Sequence, residues 1–231
     1  MPKMQILTTN VGINVALYIN GRVKTATPSG NSLEIVTDTD YPVSGKITVT
    51  VSPEKPEKFT LGIRVPEWSK STSLSVNGES VAAPVGFAFI EREWQSGDKI
   101  NIELDMTPSV IYPTPYGEAT LMTDVDWRCN LSRPFKAKEH PTAKSCIAIR
   151  RGPVMLALDK RVGVSPDEAL ELVIDGERIE LTEAKRSPEF AHLLAFDTKL
   201  KDGSALTLVD YSSAGKTWDE ESKTAVWLVR K

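Results

Sequence analysis

The chain has 231 residues, 40% of them hydrophobic, and a formal net charge of -3. That length can hold one large all-β domain or two of ordinary size, each with a proper core. Its scattered lysines and arginines form no basic stripe, which argues against nucleic acid as a partner. No stretch approaches the roughly 20 apolar residues of a membrane span and the first ten residues lack the apolar run of a secretory signal, so the expectation is no membrane partner and, by default, a cytoplasmic location.

In chain order, residues 12–19 are mostly β-formers and are followed by Asn20-Gly21, a turn pair. Residues 33–37 read as a second strand. Lys46-Ile47-Thr48-Val49-Thr50-Val51 alternates strictly, which directs Ile47, Val49 and Val51 to a core. Phe59, Leu61, Ile63 and Val65 repeat that period up to Pro66. Leu74-Ser75-Val76 runs into Asn77-Gly78, the preferred pair for a two-residue type I′ hairpin, with Val81 on the return strand. Residues 87–94 and 100–104 flank Gln95-Ser96-Gly97-Asp98, a loop with the length and composition of a hairpin connection.

Residues 113–145 change character. Prolines punctuate them, periodicity is weak, and they contain Tyr116, Trp127, Cys129 and His140. Long loops on a rigid scaffold carry function more often than short ones. Next come two apolar runs in residues 146–158, hinged on Arg150-Arg151-Gly152-Pro153, a corner that forbids a continuous helix and implies strand, bend, strand. The adjacent arginines should point to opposite faces, one paired inside a domain interface and one solvated.

Ser165-Pro166-Asp167-Glu168 suggests a single helical turn. Residues 170–174 and 179–181, around Asp175-Gly176, suggest a further hairpin. Residues 193–196, 205–209 and 225–229 read as strands. Short strands with turn signals at spacings of about 8–12 residues indicate an all-β protein of two consecutive antiparallel β-sandwich, jelly-roll-like domains with at most short helical turns. The expected units are 1–112 and 113–231, with the long irregular loop 113–145 opening the second and the Arg-Arg-Gly-Pro corner leading into its sheet.

Strong chemical motifs are absent: no glycine-rich nucleotide or phosphate loop, no Gly-x-Ser-x-Gly elbow and no His-Glu-x-x-His. The two histidines, His140 and His192, have no recognisable nucleophile setting. Asp38/Asp40 and Asp124/Asp126 would each share a strand face, as a cation site or a carboxylate dyad could use, against the plainer role of turn formation. Trp68, Tyr116, Trp127 and Trp218 stand beside loop residues; an exposed ring can stack on a sugar face, whereas core packing is the ordinary role of a tryptophan. Cys129 and Cys146 are too few for a disulfide scaffold or a four-cysteine zinc site, which leaves one bridge or two separate thiols open.

The segments Phe59-Thr-Leu-Gly-Ile-Arg-Val-Pro-Glu-Trp68, Ser75-Val-Asn-Gly-Glu79, Ile90-Glu-Arg-Glu-Trp94 with Gly97-Asp98, and Ala148-Ile-Arg-Arg-Gly-Pro153 follow one another in this order. Together they resemble the C-terminal region of the β-L-arabinofuranosidase-like glycoside hydrolases, glycoside hydrolase family 127. The stretch from Asp210 to Trp218 is similar to the tail of one branch of that family.

The resemblance implies a catalytic α/α barrel as partner, either a domain or a separate subunit, and a plant-type polysaccharide as wider substrate. It also implies a cysteine nucleophile, a glutamate acid/base and a cysteine-bound zinc in the barrel, with an adjacent Cys-Cys pair just before the first sandwich strand. This chain lacks that pair and begins at about the point where it would have ended, so no catalytic or metal residue carries over and no cofactor is expected. The first expectation is a non-catalytic accessory region that supports the barrel or its oligomer interface. The alternative is a stand-alone carbohydrate-binding module using Tyr116, Trp127 and Trp218. A third reading is an enzyme with carboxylates among Glu118, Asp124 and Asp126.

Overall fold

The computed structural model describes residues 5–9, 12–113 and 146–231. The chain divides into two compact units, Met1–Thr107 and Pro108–Lys231. Among the described residues the protein is all-β, its longest helix the four-residue Tyr211–Ala214, α1.

The first unit consists of two sheets. One contains β1 (Ile6–Thr8), β2 (Gly12–Val15), β6 (Glu57–Val65) and β9 (Gly86–Trp94), in the order β1-β2-β6-β9. The other runs β3-β4-β5-β10-β7-β8, from β3 (Gly21–Ala26), β4 (Ser32–Thr39) and β5 (Lys46–Pro53) through β10 (Asp98–Glu103) to β7 (Ser73–Val76) and β8 (Glu79–Ser80). Alternation decides what each strand buries. Ile13, Val15, Phe59, Leu61, Ile63, Ala88 and Ile90 from the first sheet meet Leu33, Ile35, Ile47, Val49, Val51, Ile100 and Ile102 from the second in one core. Trp94, fully buried, donates its indole N–H to the Phe59 carbonyl at 3.1 Å, so its one polar atom is satisfied inside that core. Trp68 packs against the same core, half-buried.

Three expectations change here. The strand read over residues 12–19 ends at Val15, because the Ala16 and Leu17 amides both turn to the Gln5 carbonyl. The loop Gln95-Ser96-Gly97-Asp98 is not a hairpin. It carries the chain from β9, paired with β6, across to β10, paired with β5 and β7 in the opposite sheet. A short polar loop is compatible with either path, and only long-range pairing decides between them. The third change is β3, which has no buried residue and so no apolar alternation to reveal it; it is an edge strand carrying Arg22 and Lys24. Within otherwise antiparallel sheets, β2 and β6 pair in parallel, Gly12 opposite Thr60 through Val15 opposite Ile63.

In the second unit the strands run in the order β11-β12-β13-β16-β15-β14. They are β11 (Pro108–Ile111), β12 (Cys146–Arg151), β13 (Val154–Asp159), β14 (Thr182–Glu183), β15 (Ala195–Lys199) and β16 (Ala205–Asp210). Two short strands extend it, β17 (Thr224–Ala225) on β13 and β18 (Leu228–Val229) on β12. The strand, bend, strand reading of residues 146–158 holds: β12 and β13 form an antiparallel hairpin with Arg151 opposite Val154, and Gly152 takes a φ of 56° at the corner. Ile147, Ala148, Ile149, Leu156, Ala157 and Leu158 are all buried, so both strands read as unbroken apolar runs. The corner does not open the sheet, because β11 precedes it and pairs with β12 from Pro108 opposite Arg151.

The Arg151 guanidinium lies 5.0 Å from the centre of the Phe196 ring. Partial burial there pulls its pKa down, with the Glu183 carboxylate acting in the opposite sense. The hairpin expected around Asp175-Gly176 contracts to a turn in which Asp175 and Arg178 exchange backbone hydrogen bonds, while Leu170 and Leu172 make only isolated bridges. Residues 165–168 form a turn closed by the Glu168 amide on the Ser165 carbonyl at 3.0 Å, without a helix.

The Asn77-Gly78 turn is as expected: both residues have positive φ, 51° and 89°, and Asn77 is tied to β10 by bonds to Asp98 and the Lys99 amide. Gly78→Ala forces a Cβ into the left-handed region, so it should destabilise the first unit by about 1–2 kcal/mol. A urea midpoint unchanged from the wild type would show that this turn does not hold the β7–β8 register.

Candidate functional site

The outer face of the four-stranded sheet departs from the polar composition usual for a solvated sheet surface. Register places Leu7, Asn14, Gly62 and Phe89 in one row across β1, β2, β6 and β9, with Arg64 opposite Phe87 in the next. Phe89 is 66% exposed, and its ring stacks on that of Phe87 with centres 6.0 Å apart and planes 21° from parallel. Leu7 is also exposed at the end of the row, as is Val85 just before β9.

Gly62 makes this row possible. A Cβ there would meet the Asn14 Oδ1 at 2.1 Å and Phe89 Cε1 at 3.0 Å, so the missing side chain lets the amide and the ring close over the backbone. Charge flanks the row on both sides: Arg64 stands exposed opposite Phe87, and farther along the sheet Lys58 pairs with Glu91 at 3.2 Å. Single exposed apolar residues are ordinary, but a stacked aromatic pair, with Leu7 exposed at the far end of its row and Val85 exposed just before β9, is a surface suited to being covered.

The second unit is built around buried charge instead. Asp159 ends β13, and its carboxylate accepts from Arg161 Nε at 2.9 Å, Arg161 Nη2 at 2.6 Å and the Arg161 amide at 3.1 Å, with His192 Nε2 at 3.1 Å. The side chains of Asp159, Arg161 and His192 are 0%, 3% and 1% exposed. Arg161 also donates to the Thr217 and Ala214 carbonyls and lies 4.5 Å from the centre of the Phe190 ring. One guanidinium thereby ties the end of β13 to the loop after α1 and to the segment before His192.

Burial alone would raise the Asp159 pKa, but the hydrogen bonds from Arg161 and His192 outweigh it and hold the carboxyl below its usual range. Asp210 behaves alike: burial opposes its charge, yet bonds from the Ser213 and Ser212 hydroxyls and from the Leu194 and Leu193 amides keep it ionised and its pKa low. Its side chain caps α1 and fixes the backbone leading into β15.

Of the residues singled out from sequence, Trp218 is 67% exposed, one residue beyond the Thr217 that Arg161 holds. Tyr116, Trp127, Glu118, Asp124, Asp126, Cys129 and His140 lie outside the described residues. Asp38 and Asp40 are both exposed, and among the described residues no group of three His, Cys, Asp or Glu side chains could hold a metal ion. Among those residues, no helix is long and apolar enough to cross a membrane. Neither the cluster of Asp159, Arg161 and His192 nor the bonds that converge on Asp210 carry a sequence motif, because their members are brought together by folding. The one local signal was Asp210 before Tyr-Ser-Ser-Ala-Gly, an N-cap pattern.

Comparison with known proteins places these features in context. Residues 12–106 match the family model of the β-L-arabinofuranosidase GH127 middle domain. No curated protein matches the chain. Among solved structures, a GH127 β-L-arabinofuranosidase from Geobacillus stearothermophilus T6 is similar at 23% identity and a TM-score of 0.70, over 99% of this chain and 35% of its own. A protein described as a glycoside hydrolase aligns at 21% identity and a TM-score of 0.72, over 98% of this chain and 37% of its own. A GH127 β-arabinofuranosidase aligns at 19% identity and a TM-score of 0.70, over 100% and 36%. At these identities the structures establish a shared fold. The chain resembles a β-rich part of GH127 enzymes and spans little more than a third of the length of the structures it matches.

The buried network yields a direct expectation. Arg161→Ala strands the Asp159 carboxylate without its main counter-charge and should cost about 3–5 kcal/mol of stability. Both buried aspartates have folded pKa values below their unfolded ones, so their contribution is present above about pH 4 and is lost as pH falls through the folded values. Thermal melts between neutral pH and pH 2 should therefore show a steep acid limb that flattens in Asp210→Asn. An identical limb in that variant would remove Asp210 from the account.

Proposed function

We propose that this chain is the non-catalytic β region of an enzyme similar to β-L-arabinofuranosidases, and that it supports a catalytic α/α barrel or closes the barrel's oligomer interface. The observation that carries this reading is the outer face of the four-stranded sheet, where the exposed Phe89 stacks on the half-buried Phe87 and Leu7 stands exposed on the far strand of the same row. A solvated sheet has no use for that row, whereas a neighbouring domain gains about 1.5–3 kcal/mol for each such side chain it covers. The matched structures are nearly three times as long as this chain, which supports a further domain or subunit as the occupant. Hydrolysis of β-L-arabinofuranosides within a plant-type polysaccharide would then belong to the assembled enzyme, with the reacting groups supplied by the barrel.

A second reading rests on Trp218, two-thirds exposed on a loop whose backbone Arg161 pins. With Tyr116 and Trp127 it would form a sugar-stacking surface, and the chain would be a carbohydrate-binding module. Titration with arabinan or xylan should then quench tryptophan fluorescence in the wild type and not in Trp218→Ala. Silence across a glycan panel removes this reading.

For the first reading, the purified chain should turn over no aryl arabinofuranoside; turnover that survives exclusion of contaminating enzyme would overturn it. Phe89→Asp should weaken association with the α/α barrel domain of a GH127 enzyme, supplied as a separate chain, by about tenfold or more, at an unchanged melting temperature. Equal affinity would show that this face is not the seat.

A further inference from the structure

The second unit contains a cleft of about 330 Å³ where the segment 185–190 meets His192, β15 and β16. Its lining includes Arg161, Lys185, Arg186, Phe190, His192 and Thr207. None of these residues is used by the outer face of the four-stranded sheet, so the cleft and the proposed barrel seat stand or fall separately.

The most telling atom is Nδ1 of His192. The ring is buried, its Nε2 faces Asp159 Oδ2 at 3.1 Å, and Nδ1, on the other side of the ring, is buried with no hydrogen-bond partner. Asp159 takes two side-chain bonds from Arg161 and can only accept, so the ring proton sits on Nε2 and a neutral His192 leaves Nδ1 as a bare acceptor. A buried acceptor left unmade is costly, and a ligand hydroxyl reaching it from the cleft would recover that cost.

Charge gives the second indication. The Arg161 guanidinium is committed to Asp159 and to the Thr217 and Ala214 carbonyls. What remains at the cleft is Lys185 and Arg186, both exposed, against the single carboxylate of Glu189. Arg186 is held in place by its bond to the Leu193 carbonyl at 3.0 Å. Two cations against one anion favour a ligand with a negative group. Size is the third indication: the volume lies at the lower end of the range for small-molecule pockets, room for one small ligand and not for a polymer chain.

We infer that this cleft binds a small hydroxylated carboxylate of the sugar-acid class, with a ligand hydroxyl donating to His192 Nδ1 and the carboxylate received by Lys185 and Arg186. Phe190 contributes an apolar wall whose ring lies 5.7 Å from that of His192 and is already packed by Arg161. The Thr207 hydroxyl is committed to Asp197 Oδ1 at 2.6 Å, so it can still accept but not donate.

The test is an NMR titration of the 231-residue chain with D-glucuronate, following the amides of Ala195 and Thr207 and the ring nitrogens of His192. Saturable shifts at these positions are expected, with the Nδ1 resonance moving most. D-glucose, which has the hydroxyls without the charge, and acetate, which has the charge without the hydroxyls, should each bind at least about tenfold more weakly. A Lys185→Ala/Arg186→Ala double variant changes only exposed side chains, so it should melt like the wild type and lose about tenfold or more in affinity for D-glucuronate. A galacturonate oligomer offered alongside separates a free sugar acid from the acidic end of a polysaccharide. No saturation with D-glucuronate at millimolar concentration, equal binding of D-glucose, or full affinity in the double variant would each overturn the assignment.

Discussion

A β-sheet with one apolar face cannot stand alone in water, and the first unit follows from that constraint. Two sheets turn their inner rows toward one another, and residues such as Leu61, Ile63, Val49 and Ile100 reach complete burial only because each row has the other to cover it. The crossing at Gln95-Ser96-Gly97-Asp98 serves the same end: β9 and β10 are neighbours in sequence, but each is needed in a different sheet. What the constraint leaves unexplained is the opposite side of the four-stranded sheet, where Gly62 has given up its side chain so that Asn14 and Phe89 can approach. Burial drives the fold, and the row around Phe89 is an apolar surface that the fold itself does not cover.

The second unit solves a different problem. Its short strands, several of two residues, offer few ladder hydrogen bonds, and buried ionic groups hold its loops. Asp159 and Arg161 act as a knot: remove either and the other is left charged in the interior, which is why such pairs are costly to break even where an apolar substitute would have served as well. Asp210 repeats the device with neutral donors, five bonds converging on one carboxylate. Both aspartates therefore tie long-range geometry to ionisation: Asp159 holds His192, and Asp210 holds the Leu193 and Leu194 amides that follow it.

The candidate features divide along the same line. The first unit carries the family match and the open apolar face, and the second carries the polar cleft. An accessory region of a glycoside hydrolase and a small-ligand site are compatible, because one uses the outside of a sheet and the other a pocket between a loop and two strands.

Much of the strand content was legible in the residues alone. Period-two alternation at Lys46–Pro53 and Glu57–Val65 had one physical meaning, and Asn77-Gly78 admits few turns besides the one observed. The Arg-Arg-Gly-Pro corner was legible as a bend for the same local reason, since proline and glycine act on their own backbone. The edge strand Gly21–Ala26 was not, because an unburied strand has no pattern to show. Nor was the stacking of Phe87 on Phe89, which depends on both rings facing out, or the meeting of Asp159 with His192 across 33 positions. The sequence by itself determined the all-β class and its turns, through interactions between near neighbours. Only the tertiary structure decided which strands share a sheet, which aromatic rings stay in solvent and which charges are buried together, because those depend on contacts between distant residues that local pattern does not encode.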